Sequence, residues 1–175
     1  MKKKPSYVPD CRAQRIYEIP PSFFASRGIV AVLSDLDNTL ATYDEGLPSQ
    51  ECLDYVAALK KEGIAFYIAS NNTGKRVKAF SKALGVESCH ALFKPLAYFL
   101  KRFLRKKGLA PEHCVLIGDQ CATDVKSGNK AGLFTILVEH LSEKRPLLTK
   151  INGLLDAKYR KIISSRGLSP DWRNL

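Results

Sequence analysis

Between residues 28 and 138 the chain alternates short apolar runs with longer stretches whose apolar residues recur every three or four positions. The runs "GIVAVLS" (28–34), "IAFYIAS" (64–70), "CHALF" (89–93), "CVLIGD" (114–119) and "LFTILV" (133–138) have strand length. Their near-continuous apolar character predicts strands buried on both faces. The first intervening stretch, "SQECLDYVAALKKEG", predicts a helix with Ser49 as N-cap, apolar residues at Leu53, Val56, Ala57 and Leu59, and a stop at Gly63. A second helix is predicted over 73–85, closed by Gly85. A third covers 95–108, with Pro95 at its first position and Gly108 after its end. "ATDVKSGNKAG" predicts a short fourth. Strands alternating with helices imply βαβ units, hence an α/β doubly wound parallel sheet of about five strands.

The flanks are less regular. Residues 1–27 contain prolines and only weak periodicity, and are expected to form an arm packed on a domain spanning 28–160. A late helix, "LLTKINGLLDAKYRKII", is interrupted by Gly153, and 161–175 is expected to be a flexible tail.

Polar residues break the pattern at the carboxyl ends of the strands, where open parallel sheets bind ligands. Asp35 and Asp37 follow the first strand, Ser70, Asn71 and Asn72 the second, Lys94 the third, and Asp119 the fourth, with Asp124 five residues on. In extended chain Asp35 and Asp37 leave the same side, and adjacent like charges call for a counter-cation. Hard carboxylate oxygens suit Mg²⁺, which takes one or two carboxylates plus phosphate and water, so Asp35 and Asp119 are its expected ligands. Ser70, backbone N–H groups near the next helix start and Lys94 would hold anionic oxygens. Such a set describes phosphoryl transfer, with Asp35 as attacking carboxylate and Asp37 as proton donor and acceptor. Taken singly, each feature has a plainer reading: a turn with two solvated acids, a helix-capping serine, a surface lysine, an acid at a helix start.

The ordered set "DLDNTL", "IASNN", "FKP" and "GDQCATD" resembles the four motifs of the haloacid dehalogenase (HAD) superfamily, subclass IIIA. "KPSYVPD", "SNNTGKRV", "FKPL", "GDQCATDVKSGNKAG" and "LLTKING" extend the resemblance to the YqeG-type family, which includes phosphatidylglycerophosphate phosphatases, over residues 4 to 155. The resemblance implies a HAD-like Rossmann-type fold and an aspartyl-phosphate intermediate on Asp35. It implies Mg²⁺ on Asp35, the backbone carbonyl of Asp37, and Asp119, with Asp124 in support. It further implies phosphate contacts from Ser70 and Lys94, with Asn38, Thr39 and Asn71 shaping the loops. Cys121 and Ala122 fall at variable positions of the fourth motif. Only "TLATYDEGLPSQ" separates Asp37 from the next helix, so no cap domain is expected and the site should be open.

Charge bears on the partner. There are 28 Lys+Arg against 17 Asp+Glu, a formal net charge of +11, which favours anionic partners. Anionic phospholipid at the inner face of a membrane agrees with the phosphatidylglycerophosphate reading. The alternatives are a sugar phosphate, nucleotide or nucleic-acid end as substrate, or an RNA- or ribosome-binding protein on this scaffold. Lys101, Arg102, Arg105, Lys106 and Lys107 lie opposite Leu96, Phe99, Leu100, Phe103 and Leu104. That apolar stripe is expected to pack on the sheet, leaving the charges solvated, with Lys2, Lys3 and Lys4 adding to the basic surface. The five cysteines show no CxxC pair and the three histidines no metal-ligand spacing, so reduced thiols and no zinc site are expected. No apolar run resembles a signal peptide or a transmembrane span, which points to the cytoplasm.

Overall fold

The computed structural model describes residues 4–72, 74–90, 92–142 and 150–175. Lys2, Lys3 and the start of "LLTKING" lie outside the described residues.

Among the described residues six parallel strands form the sheet, one more than the sequence suggested. They are β1 (Cys11–Ala13), β2 (Ala31–Ser34), β3 (Ala65–Ala69), β4 (Glu87–Cys89), β5 (Cys114–Gly118) and β6 (Phe134–Val138), in the order β1-β6-β5-β2-β3-β4. The sixth strand is β1, supplied by the arm. Three residues shortly after Pro9 leave too short a pattern to read, yet Cys11 and Ala13 face the core and the strand pairs with β6.

Helices α1 (Pro21–Ala25), α2 (Gln50–Lys61) and α3 (Lys75–Leu84) cover one face. Their side chains pack with Val32, Phe66, Ile68, Val115, Ile117 and Ile136. Helices α4 (Tyr98–Lys107) and α5 (Lys126–Ala131) cover the other, meeting Leu33, Ala69 and Leu116, while α6 (Lys150–Ser165) places Ile163 near Leu137. The faces are the odd and even positions of each strand, as the two-residue period requires. Ser49 caps α2 as expected, its Oγ accepting the N–H of Cys52 at 3.2 Å. At Gly128 an added Cβ would stand 2.5 Å from Thr135 Cγ2, so only glycine lets α5 lie this close to β6.

Three expectations are corrected. β4 ends at Cys89, and Leu92 and Phe93 of the "CHALF" run leave the sheet, Leu92 turning into the core and Phe93 adopting a left-handed φ of 49°. Pro95 is not the first residue of α4: a turn closed by the Leu96 N–H to the Phe93 carbonyl precedes a helix that starts at Tyr98. The end of the chain is packed where a loose tail was expected. α6 runs through 161–165, and beyond it the Pro170 carbonyl accepts the N–H of Arg12 at 2.9 Å. Trp172 meets Phe23 edge-on at 5.6 Å, and Arg173 pairs with Glu18. This segment covers β1, whose outer edge would otherwise present unpaired backbone groups.

Candidate active site

The strand order reverses at β2: β3 and β4 follow on one side, β5 and β6 on the other. The crevice beyond the carboxyl ends of β2 and β5 is therefore the topological switch point. Register places the ends abreast, with Ser34 opposite both Ile68 and Ile117, and the Asp35 N–H continues the ladder to the Ile117 carbonyl at 2.8 Å. Asp35 and Asp119 consequently emerge side by side.

Asp35, Asp119 and Asp124 are all buried, and one carboxylate oxygen from each lies within 4.8 Å of the others. Lys94 enters the cluster from the β4–α4 loop. Its Nζ donates to Asp35 Oδ1 at 2.6 Å, to Asp124 Oδ1 at 2.5 Å and to the Ala69 carbonyl at 2.8 Å, using all three protons. Burial pushes the carboxyl of Asp35 well above the usual range; Lys94 opposes this, while Asp124 and Asp119 add to it. Asp124 is raised for the same first reason. Lys94 is raised too, because the two aspartates outweigh its desolvation. Three carboxylates against one ammonium leave the pocket short of positive charge. Hard oxygen donors, clustered and underneutralised, fit a divalent cation.

Gly118 makes the cluster possible. A Cβ there would stand 2.3 Å from Asp124 Cγ, so Asp124 reaches Lys94 only across a bare backbone. A π-helical turn, Cys121–Val125, carries Asp124 back toward the strand end, and the Gln120 N–H donates to its Oδ2 at 3.1 Å.

The remaining expected residues divide. Thr39 Oγ1 lies 3.5 Å from Asp119 Oδ1, at the edge of the cluster. Ser70 is buried beyond β3, its Oγ accepting the Asn72 N–H at 3.0 Å. Asn71 turns to the backbone of Lys94, accepting its N–H at 2.7 Å and donating to its carbonyl at 3.1 Å, so it fixes the lysine's approach. Asn38, with φ of 63°, donates to the Ser142 carbonyl and thus ties the β2 loop to the chain after β6. Asp37 stands apart from the acidic cluster and pairs with Arg76 of α3. Burial raises its carboxyl above the ordinary range although Arg76 opposes this.

Four participants were not foreseen. Arg76 also donates to the carbonyls of Thr42 and Glu45, holding the β2–α2 loop. Behind Asp119, His140 Nδ1 lies 2.7 Å from Asp119 Oδ2, and its Nε2 3.6 Å from Asp156 Oδ2. Asp156 accepts the Cys121 N–H at 2.5 Å and pairs with Arg160, which also reaches Glu139 and the carbonyls of Asp119 and Val138. Burial opposes the charge on His140, but its bonds to Asp119 and Asp156 outweigh that and raise its pKa. Burial likewise pushes Asp156 up, yet bonds from His140 and Arg160 win and hold it low. A signal existed: Glu139 and His140 follow a strand end just as the other site residues do, and Asp156 and Arg160 stand four apart on a helix.

Residues 32–93 match a family model described as haloacid dehalogenase-like hydrolase, and 92–154 one described as HAD-hydrolase-like. The chain is 32% identical over 164 residues to the protein named "Probable phosphatase YqeG" of Bacillus subtilis, covering 94% of this chain and 95% of that one. It is 26% identical over 156 residues to the phosphatidylglycerophosphate phosphatase 1 of Arabidopsis thaliana, covering 82% of this chain and 44% of the relative. A crystal structure of an uncharacterised Corynebacterium glutamicum protein shares the fold, with a TM-score of 0.54 at 21% identity over 72% of this chain and 94% of that one. The ordered strand-end motifs, the Lys94-centred acidic cluster and the near full-length match together make this chain a member of the haloacid dehalogenase-like hydrolases, in the family of the YqeG phosphatase.

Proposed function

We propose that this HAD-type phosphatase is a Mg²⁺-dependent phosphomonoester hydrolase working through an aspartyl-phosphate on Asp35, and that its substrate is phosphatidylglycerophosphate. The observation that carries the reading is Lys94, whose one ammonium binds Asp35 and Asp124 while Asp119 stands within the same cluster. A carboxylate in that position can attack phosphorus, and the ammonium beside it offsets charge that builds on the phosphoryl oxygens. Asp35, Asp119 and the main chain at Asp37 would hold Mg²⁺, with Asp124 supporting; the ion supplies charge neutralisation for the phosphoryl group.

The steps balance on this chain's own groups. An oxygen of Asp35 forms the new bond to phosphorus as the ester oxygen departs, taking a proton from Asp37. Burial raises the Asp37 pKa although Arg76 opposes it, and a raised pKa is the direction a proton donor needs. Asp37, now ionised, removes a proton from water, and that water attacks the acyl-phosphate. Inorganic phosphate leaves and Asp35 is regenerated. Arg76, which pairs with Asp37 and holds the β2–α2 loop, would orient that carboxyl for the transfer.

The lipid substrate is supported by the similarity to the Arabidopsis relative, by the net charge of +11, and by the short connection between β2 and α2, which leaves the crevice open. The test is a panel of phosphate esters, lipid included, with Mg²⁺ or with chelator. The reading requires Asp35→Asn to abolish hydrolysis of an aryl phosphate while circular dichroism stays unchanged. It also requires phosphatidylglycerophosphate in anionic vesicles to outrun glycerol phosphate; equal rates would remove the lipid from the proposal.

A further inference from the structure

The helix after the catalytic lysine keeps only part of its apolar surface inside. Leu100 and Leu104 are buried against the sheet, as the sequence suggested. Phe93, Leu96 and Tyr98, by contrast, are 58%, 58% and 61% exposed, and Phe99 is 37% exposed. They form one patch: the Phe93 and Phe99 rings are 5.4 Å apart, and Phe99 meets Tyr98 edge-on at 5.2 Å. The patch is held in place rather than dangling. Phe93 takes a left-handed backbone that a bulky residue adopts only under constraint, between buried Leu92 and a Lys94 whose backbone Asn71 grips from both sides.

The charge on the helix that carries this patch is all of one sign. α4 contains five basic residues and no acid. Tyr98, Lys101, Arg102 and Arg105 fall on its outward side, three, four and seven residues apart, and are exposed. Lys107 pairs with Glu87, whereas Lys101, Arg102 and Arg105 have no carboxylate partner among the described residues. Beside them runs an open groove of about 490 Å³ lined by Tyr98, Lys101, Leu104, Arg105, Leu109 and Pro111.

We infer that this face docks on the interface of an anionic lipid bilayer, with Phe93, Leu96 and Phe99 at the acyl boundary, Tyr98 at headgroup level and the three cations on lipid phosphates. Exposed aromatic and aliphatic side chains, followed on the same helix by unpaired cations, match the two halves of such an interface. Phe93 and Lys94 are consecutive, so seating the first at the acyl boundary brings the reactive crevice to the depth of the phosphates. A single-stranded nucleic acid could stack on the rings, but Leu96, as exposed as Phe93, gives a base nothing to stack on. The inference rests on the lipid reading of the active site, and its test separates the two.

The test is sedimentation of the full chain with vesicles of phosphatidylcholine, with and without phosphatidylglycerol, in the absence of substrate. Lys101→Glu/Arg102→Glu/Arg105→Glu should weaken binding to the anionic vesicles by about five-fold or more per residue. Leu96→Ser/Tyr98→Ser should weaken it about ten-fold or more, and both variants should hydrolyse an aryl phosphate at the parental rate. In a third variant, Leu96→Trp, the indole emission should shift to the blue on anionic vesicles only. Binding that ignores the first two variants, emission from the third that does not shift, or tighter binding of a single-stranded RNA than of vesicles through the same residues would overturn the proposal. Lipid hydrolysis surviving without vesicle binding sinks the docking face alone. Vesicle binding without lipid hydrolysis sinks the substrate reading alone.

Discussion

Gly118→Ala is the sharpest probe of the site, because the structure fixes its consequence. The new methyl carbon would stand 2.3 Å from Asp124 Cγ and 2.5 Å from Asp124 Oδ2. Ordinary carbon contacts need about 3.5 Å, so the carboxylate must retreat by roughly 1 Å. The Lys94–Asp124 bond, now 2.5 Å, would then pass beyond hydrogen-bonding range, leaving a buried ammonium with two of its three partners and a buried carboxylate without its cation. Breaking a buried pair costs about 3–5 kcal/mol, and the smaller entropic gain from replacing glycine does not offset it. With total stability on the order of 5–15 kcal/mol, the variant should fold but lose a large part of its urea resistance. Displacement of Lys94 should also cost about 100-fold in kcat on an aryl phosphate. Asp124→Gly removes the atoms that clash, so in that background Gly118→Ala should cost little further stability. Urea midpoints for the four proteins of this cycle measure the coupling. Additive losses, or a Gly118→Ala protein as stable and active as the parent, would refute the close-approach argument.

Other expectations follow from the charges. In chelator, Asp35→Asn should melt no lower than the parent at neutral pH, since the folded pKa of Asp35 is raised and its ionisation works against folding as pH rises. The advantage should shrink as pH falls and Asp35 takes up its proton; a lower melting temperature throughout would contradict this. His140 is raised as well, so the stability it lends is present below its ordinary pKa of about 6.5 and lost on the alkaline side. His140→Gln should therefore cost more at pH 6 than at pH 9 by urea denaturation, and an equal gap at both would show that the imidazole stays neutral. Asp156 is lowered, so Asp156→Asn should cost most at neutral pH and least once the medium is acidic enough to protonate the parent. Arg160→Lys cannot reproduce four acceptors with one ammonium and should destabilise by about 2 kcal/mol or more; no change in midpoint would make that network ornamental.

Much of this architecture was legible because the signals were local and repeated. Apolar runs of strand length located four strands, Ser49 and the closing glycines located helix ends, and the rule that ligands sit beyond strand ends gathered Asp35, Lys94, Asp119 and Asp124. What escaped depends on contacts between distant segments. β1 is three residues long, and only pairing with β6 makes it a strand. The "CHALF" run is apolar because Leu92 enters the core from a loop, which periodicity cannot tell from a strand position. Asn71 was expected to shape a loop, but that the backbone it grips is that of Lys94, 23 residues on, no local pattern shows. The tail looked loose because its anchors, Arg12 and Phe23, lie some 150 residues earlier.

The two halves of the site are supported in different ways, and that division explains why Lys94 alone cannot complete it. Asp35 and Asp124 share the ammonium in front, all three of whose protons are committed. Asp119 is held from behind by His140, and through Asp156 by Arg160, residues that sit beyond β6 and on α6. A lysine placed to bind all three carboxylates would still leave two negative charges unmatched, and would fill the space a phosphoryl group needs. With Lys94 confined to one side, the oxygens of Asp35 and Asp119 keep an unbalanced charge toward the open crevice. That is the arrangement in which a divalent cation and an anionic ester improve each other's binding, because each cancels what the other leaves over. The scaffold behind Asp119 thus matters to chemistry it never touches: if His140 and Arg160 let that carboxylate swing toward Lys94, it would compete for an ammonium whose protons are already committed and turn its oxygens from the crevice.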